Sequence, residues 1–425
     1  MNFYLGMDFG TSGARACVID DDLAIVWEQH VAYPDRATTQ TDWRSALHAL
    51  LSAVPKNIAL HLHGLAIDAT SGTVLLCDAE LEPVSPALLY HDSQAQQQAE
   101  QLKTIAPEGH IVCSATSGLA KFLWLTQQSE AGICLASGAY FLHQADWLTA
   151  LLSGEPGVSD YHNALKTGYD VERLCWPNWI IALPHAHLLP QVLAPGAIIG
   201  TIRGDIARHF GIRPQCNIHA GTTDSIAAFI AAGINEDINE MGIGVSSLGT
   251  TLVLKQLSAQ RIEAPEFGVY SHRYGDLWLM GGASNTGAGI LRHYFDDAQL
   301  SALSRQIDPL RDSPLNYYPL TTTGERFPVN DAQLAPQLEP RPQHDVEFLH
   351  GLLQSLSRIE VAGYARLTAL GAPLLKRVVS NGGGAKNTVW MQMRERLLGV
   401  PVVMAKHSDA AYGSALLARS GIELK

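Results

Sequence analysis

The sequence carries few charges and no surplus of positive ones, which narrows the partners it is suited to bind. Charged residues make up 16% of the 425 residues, and the formal net charge is −12 at pH 7. Proteins that bind nucleic acid usually present a basic face, so an acidic chain argues against a nucleic-acid partner. A small phosphate group remains compatible, because backbone amides bind phosphate without basic side chains.

Paired cysteines and long apolar runs are also missing. The six cysteines are scattered, and no two of them lie at a C-x-x-C spacing, which argues against a disulfide framework or a zinc site. The segment Met1–Gly6 lacks the basic start and long apolar core of a signal peptide. No stretch approaches the ~20 apolar residues of a membrane span. We therefore expect a soluble cytoplasmic protein with no membrane partner.

What is present is an alternation of short strands and helices. Hydrophobic residues make up 47% of the chain, enough for large cores, and the length suggests two domains. Strand patterns over Phe3–Asp8 and Leu60–Asp68 flank a helical pattern over Trp43–Val54. A strand, Gly-Thr turn, strand pattern occurs near the start and again after residue 232. We predict an α/β fold with related domains at 1–232 and 233–425.

A glycine-containing turn follows the first predicted strand. Gly10 lets backbone amides approach a phosphate, and the hydroxyls of Thr11 and Ser12 can donate to its oxygens. Asp8, at the strand end, is placed to hold a magnesium ion, and Arg15 can add positive charge. The alternative is an ordinary Gly-Thr turn without a ligand.

Two further glycine turns lie in the second half. The turn at Gly249 offers the same phosphate chemistry, and the triple-glycine run offers a bare surface on which adenine can lie. The alternative for the triple glycine is a loop that needs positive φ. The candidate ATP-binding residues here are Gly249, Thr250, Gly383, Gly384, Ala385 and Asn387.

The remaining candidates concern a substrate. Asp224 begins a predicted helix of small apolar residues, so it is either a general base for a hydroxyl or an N-cap. Ser71 and Gly72 belong to a strand-end turn that either binds sugar hydroxyls or is a plain β-turn. The polar clusters 90–94 and 160–166 are interpreted as mostly solvated loop.

Several of these motifs, in this order, resemble the FGGY carbohydrate kinases. The resemblance runs from about residue 3 to residue 420. It covers two phosphate segments, a catalytic-aspartate segment, an adenosine segment and a G-E-R-x-P signature. The segments are Asp8–Thr11, Ser247–Thr250, Gly221–Asp224, Gly382–Ala385 and Gly324–Pro328, and Ser284–Gly287 and Asp146–Leu148 fit as well.

The resemblance implies two ribonuclease-H-like, actin-like ATPase domains with a nucleotide cleft between them. It implies ATP and Mg²⁺, with Asp224 as general base and sugar ligand and Asp8 as the metal-linked residue and a further sugar ligand. The segments Ile67–Thr73 and Tyr161–Ala164 resemble D-ribulose kinases most, which implies D-ribulose as substrate. D-xylulose, ribitol and glycerol stay open as alternatives, as do a sugar-sensing regulator and an actin- or chaperone-like ATPase.

Two departures from the family pattern leave questions open. The cluster at 90–94 lacks the arginine that the family often has near the sugar, so Asp92 is a weaker expectation than Ser71 and Gly72. Whether Asp92 or Lys166 contacts the sugar stays open. The chain is shorter than many members of the family, and both a monomer and a homodimer are compatible with it.

Overall fold

A computed structural model of the chain describes residues 1–34, 38–130, 138–234 and 241–420. The chain divides into two compact units. The first unit consists of Met1–Ala231 and Asp409–Lys425, and the second of Ala232–Ser408. None of the described helices is long and apolar enough to cross a membrane.

A sheet of seven described strands forms the centre of the first unit. Short turns make β1, β2 and β3 antiparallel neighbours, and β4 then pairs in parallel with β1. The strand order is β3-β2-β1-β4-β10-β9, and β11 also pairs with β4. The strands of this unit are β1 Phe3–Phe9, β2 Gly13–Asp20, β3 Ile25–Ala32, β4 Leu62–Ala69, β5 Val74–Cys77, β6 Tyr140–His143, β7 Val158–Asp160, β8 Gln191–Leu193, β9 Ile198–Thr201, β10 Asn217–His219 and β11 Thr222–Thr223.

The second unit is built on a six-stranded sheet of order β14-β15-β13-β12-β16-β17. β12 is antiparallel to β13 and parallel to β16, as β1 is antiparallel to β2 and parallel to β4. The strand, Gly-Thr turn, strand pattern therefore has the same pairing in each unit. The strands are β12 Ile243–Leu248, β13 Leu252–Ser258, β14 Tyr270–Tyr274, β15 Leu277–Ser284, β16 Arg377–Asn381 and β17 Val402–Met404.

Helices cover the sheets, and the longest was predicted from its apolar period. The pattern over 346–370 corresponds to α12, which buries Phe348, Leu349 and Leu352 in the core of the second unit. The helices are α1 Gln40–Ala53, α2 Lys56–Ala59, α3 Gln96–Leu102, α4 Gly118–Glu130, α5 Gln144–Ser153, α6 Tyr161–Leu165, α7 Asn178–Ile181, α8 Gly204–Phe210, α9 Asp224–Ala231, α10 Gly289–Tyr294, α11 Asp297–Ser304, α12 Asp345–Ala369, α13 Thr388–Leu398 and α14 Ala410–Ser420.

The last helix lies in a different unit from the one predicted. The sequence pattern placed everything from 233 to 425 in the second domain, but α14 belongs to the first unit. It packs on β1 and α9, and a side-chain carbon on Gly6 of β1 would collide with the Ala411 carbonyl. This close approach depends on a glycine about 400 residues away in the chain, so local patterns could not reveal it.

Candidate active site

Three aspartates lie at one edge of the first unit's sheet. β4 lies between β1 and β11 and is parallel to both, so the carboxyl ends of the three strands meet. Asp8 on β1 is the register partner of Asp68 on β4, which is also the partner of Thr222 on β11. Asp224 follows β11 as the first residue of α9. Asp8 and Asp224 were predicted site residues, whereas Asp68 was not identified as a third acid.

Burial and mutual repulsion act on these carboxyl groups. Burial raises the pKa of Asp8 to about 6, and the charges of Asp224 and Asp409 also raise it. Burial raises the pKa of Asp68 well above its usual range, and the neighbouring Asp8 adds to this. Ser414 on α14 donates its hydroxyl to Asp68 Oδ2 at 2.6 Å. No described group donates to Asp68 Oδ1, although Asp68 is fully buried.

This acidic edge fits a divalent cation. Carboxylate oxygens are preferred magnesium ligands, and a cation would offset the concentrated negative charge of Asp8, Asp68 and Asp224. Within the described residues, no group of three or more His, Cys, Asp or Glu side chains is arranged to hold a metal ion by itself. A magnesium ion at this edge would therefore take water and phosphate oxygens as further ligands, as it commonly does.

The Gly10–Gly13 turn, predicted to hold phosphate, begins one residue after β1 ends. Gly10 N donates to Gly13 O at 3.1 Å, which closes the turn. Thr11 and Ser12 are exposed at its tip. Tyr33 N donates to Ser12 O at 3.0 Å and ties the turn to the end of β3. The two predicted hydroxyls are thus held on a fixed backbone and are open to a ligand.

Arg15 is engaged with an acid of its own unit. It lies on β2 opposite Asp8, and its charge lowers the pKa of that aspartate. Its guanidinium pairs with Asp409 at 3.3 Å, and about half of its side chain is exposed. Its positive charge therefore lies beside the acidic edge, as predicted, but is shared with Asp409.

The Ser71–Gly72 turn follows β4, two residues beyond the Ala69 position that pairs with β11. Gly72 has φ +82°, which favours glycine, and the buried Ser71 hydroxyl has no described partner. The fully buried Lys121 donates from Nζ to Gly72 O at 2.8 Å and to Leu89 O at 2.6 Å. Burial lowers the pKa of Lys121 to about 8. Asp92 Oδ2 accepts from Leu89 N at 2.7 Å, so this aspartate also shapes the neighbouring loop.

The segment 160–166 is not the solvated loop that we expected. It forms α6, and Asp160 caps the helix by accepting from the amides of His162 and Asn163 at 2.8 and 3.0 Å. All three residues are buried, because the capped helix satisfies their backbone groups internally. His162 Nδ1 hydrogen-bonds Thr222 Oγ1 at 2.7 Å, which fixes α6 to the strand that precedes Asp224.

The second unit contains a cavity of about 720 Å³. Its walls are the loops after β12 and β16, two adjacent parallel strands, together with α10, α11 and the start of α13. Five predicted ATP-binding residues line the cavity, namely Gly249, Thr250, Gly383, Gly384 and Asn387. The sixth, Ala385, is buried and is not in the wall. The sequence missed Gly289, Arg292, Ser304 and Lys386, which also line it.

Two of the three glycines and the asparagine have distinct roles. A side-chain carbon on Gly383 would meet nothing within 4 Å, so this glycine forms bare cavity surface. A carbon on Gly384 would lie 2.5 Å from the Trp390 ring, so that glycine makes room for the indole. Asn387 Oδ1 accepts from Trp390 N at 3.1 Å and Nδ2 donates to Ser304 at 2.8 Å. The asparagine therefore caps α13 and joins it to α11 within the cavity wall.

The G-E-R-x-P segment hydrogen-bonds the end of β15, which leads to the cavity wall. Glu325 is buried and accepts from Ser284 Oγ at 2.6 Å and from Asn285 N at 2.7 Å. Arg326 Nε donates to Ala283 O at 2.7 Å. The segment thus fixes the end of β15, from which the chain runs into the loop at Gly287 that packs on Thr250.

A buried ion pair lies beneath the cavity strands. Arg394 bonds both oxygens of Glu360 at 2.6 Å, and neither side chain is exposed by more than 1%. Arg394 Nη1 also donates to Ser380 on β16 at 2.8 Å, and Ser246 on β12 donates to Glu360 at 2.5 Å. The pair therefore links the two strands that end at the cavity loops.

Two family models together match nearly the whole chain, and both describe carbohydrate kinases. The N-terminal domain of the FGGY family of carbohydrate kinases matches residues 3–231, and the C-terminal domain matches residues 244–421. The protein is thus an ATP-dependent sugar phosphotransferase. The chain belongs to the FGGY family of carbohydrate kinases.

Xylulose kinases are among the relatives of the chain. The xylulose kinase of Streptomyces coelicolor is 28% identical over 454 residues, covering 97% of this chain and 86% of that protein. The xylulose kinase of Escherichia coli is 24% identical over 450 residues, covering 98% of this chain and 89% of that protein.

Solved structures share the fold along the whole chain. A xylulose kinase from Rhodospirillum rubrum superposes with a TM-score of 0.82 at 19% identity, covering 99% of this chain and 90% of that one. Plasmodium falciparum glycerol kinase with ADP superposes with a TM-score of 0.82 at 16% identity, covering 100% of this chain and 90% of that one. The predicted α/β class with two domains is confirmed, and the fold matches that of solved FGGY kinases.

Proposed function

We propose that this kinase transfers the γ-phosphate of ATP to a five-carbon ketose, with D-ribulose as the first candidate and D-xylulose as the second. The observation that carries the proposal is the meeting of Asp8, Asp68 and Asp224 at one sheet edge, beside the Ser71–Gly72 turn. Carboxylates beside a polar turn suit a reaction that removes a proton from a sugar hydroxyl next to a phosphate.

In the proposed reaction, Asp224 accepts the proton of the sugar hydroxyl while the oxygen of that hydroxyl bonds to the γ-phosphorus of ATP. The bond from that phosphorus to the bridging oxygen breaks, and ADP leaves. Such transfer depends on positioning and on neutralising charge. The hydroxyls of Thr11 and Ser12 donate to phosphate oxygens, and Gly10 lets the backbone of the turn approach them. A magnesium ion bound with ATP would be held at Asp8 and would neutralise phosphate charge.

We assign the adenosine to the cavity of the second unit. Its volume of about 720 Å³ lies within the range of about 300–1,000 Å³ typical of small-ligand sites. Gly383 provides a surface without side chain, and Gly249 and Thr250 provide a turn of the kind that approaches phosphate. This assignment makes the affinity for the adenosine part of ATP depend on the second unit and sugar affinity on the first.

The choice of a hydroxyl-rich substrate rests on buried groups without partners. The hydroxyls of Ser71 and Thr223 are buried, and neither has a described hydrogen-bond partner. Buried polar groups are rarely left unpaired, so a ligand with several hydroxyls is the natural partner. The segments Ile67–Thr73 and Tyr161–Ala164 favour D-ribulose by resemblance, whereas the names of the relatives favour D-xylulose.

ADP release measured with and without D-ribulose, D-xylulose, ribitol and glycerol tests the proposal. We expect sugar-dependent ADP release with the highest kcat/KM for D-ribulose. A higher value for D-xylulose would reassign the sugar within the same mechanism. ADP release that needs no sugar would indicate an ATPase. Sugar binding without ADP release would indicate a sugar-sensing regulator.

A further inference from the structure

We propose that Asn163 and Lys166 of the α6 segment are substrate contacts that select a five-carbon chain. Asn163 accepts a hydrogen bond from a sugar hydroxyl, and Lys166 donates to an oxygen at the end of the sugar far from Asp224. The proposal rests on the proposed function and adds to it a basis for substrate length.

One end of α6 is fixed beside the catalytic strand. His162, near the start of the helix, bonds Thr222 at 2.7 Å, two residues before Asp224. Both side chains are fully buried, so this contact does not depend on mobile surface groups. The first turn of α6 therefore lies at the acidic edge.

The other end of the segment lies against the Ser71–Gly72 turn. Lys166 is the residue after α6, and a side-chain carbon on Gly72 would lie 3.8 Å from Lys166 Cδ. Lys166 is half-buried, and no described group accepts a hydrogen bond from its ammonium. Lys121 holds the carbonyl of the same glycine, so the stem of Lys166 packs on a turn that is itself fixed.

Asn163, between these two ends, presents an acceptor without a donor. Its exposure is 1%, and its Nδ2 donates to Asp160 Oδ2 at 2.6 Å, which orients the amide. No described group donates to its Oδ1. A buried amide oxygen of this kind requires a donor from a ligand or a water molecule, and a sugar hydroxyl supplies one.

The spacing matches the length of the proposed substrate. The helical rise of ~1.5 Å per residue separates positions 162 and 166 by about 6 Å. Four carbon–carbon bonds of ~1.5 Å give a five-carbon chain a span of about 5 Å. On this proposal, a four-carbon ketose bound at Asp224 extends less far toward Lys166, and a three-carbon polyol extends least.

Steady-state kinetics of Lys166→Met and Asn163→Ala test the assignment, with the pentulose that the wild-type enzyme prefers and with a four-carbon ketose. We expect the KM for the pentulose to rise at least about 10-fold in each variant, while the KM for ATP stays within about twofold. Lys166→Met should also lower the preference for the pentulose over the four-carbon ketose. Lys166→Arg keeps the charge and should recover part of the affinity.

Matched controls are Lys103→Met, which changes an exposed lysine paired with Glu100, and Asn178→Ala, which changes an exposed asparagine. Thermal unfolding checks each variant, and the half-exposed Lys166 carries the test if Asn163→Ala fails to fold. An unchanged KM for the pentulose in folded Lys166→Met overturns the Lys166 contact. An unchanged KM in folded Asn163→Ala overturns the Asn163 contact and indicates that the amide oxygen binds water instead. Absence of wild-type turnover with every sugar would refute the proposed function, and this proposal with it.

Discussion

The ion pair of Arg394 and Glu360 offers a perturbation whose size follows from its burial. Replacing Arg394 by methionine leaves the Glu360 carboxylate in a site that is 1% exposed, with Ser246 as a remaining donor. Removing one partner of a buried pair typically costs about 3–5 kcal/mol. We expect a loss of this size in the free energy of unfolding of the second unit, with a raised KM for ATP, because β12 and β16 lead to the cavity loops.

Urea unfolding followed by tryptophan fluorescence measures this loss, since Trp390 lies in the same core. With a slope of about 2 kcal/mol per molar urea, the midpoint should fall by about 1.5–2.5 M. Arg396→Met is the matched control on the same helix, because its partner Asp312 is 67% exposed. Ion pairs with a solvent-exposed partner typically contribute about 0–1 kcal/mol. Equal midpoints for the two variants would refute the reasoning, and adding Glu360→Gln to Arg394→Met should recover part of the loss.

Two further predictions concern the glycine wall and the acidic edge. Gly384→Val should weaken ATP binding and lower stability, because the added side chain collides with Trp390. Gly383→Ala projects into open space and should weaken ATP binding alone. Isothermal titration with ADP measures binding, and thermal unfolding measures stability. Burial raises the pKa of Asp8 from 3.8 to about 6, so the folded state holds more protons in this window and stability falls as the pH rises through it. Asp8→Asn should therefore raise the unfolding temperature at pH 7.5 and reduce the fall of the unfolding temperature between pH 4 and about pH 6. Turnover should drop in the same variant. An unfolding temperature that changes with pH as in the wild type would contradict this.

The turns of the site were predictable because each follows a strand closely. Strand patterns ending at Asp8 and Leu248 were readable from local periodicity, and the glycine-containing turns close behind them were candidates for phosphate binding on local grounds. The same locality explains why Asp224 was chosen as a candidate site residue. Its neighbours Gly221, Thr222 and Thr223 mark a strand end, and parallel pairing with β4 brings that end to the acidic edge.

The remaining groups depend on contacts between distant parts of the chain. Lys121 holds carbonyls 49 and 32 residues away, and Ser414 reaches Asp68 across 346 residues. Neither contact leaves a local pattern. Asn163 was interpreted as part of a solvated loop because the segment is rich in polar residues. Their burial becomes possible only when Asp160 caps α6 and accepts hydrogen bonds from its first amides.

The most direct test of the account is the turnover of Asp224→Asn. The substitution keeps the size of the side chain and removes the base, so we expect kcat to fall at least about 100-fold, with the dissociation constant of ATP unchanged. Asp205→Asn, which alters an exposed aspartate paired with Arg203, should leave kcat near the wild-type value. Near-normal, sugar-dependent ADP release by Asp224→Asn would contradict the assignment of Asp224 as general base.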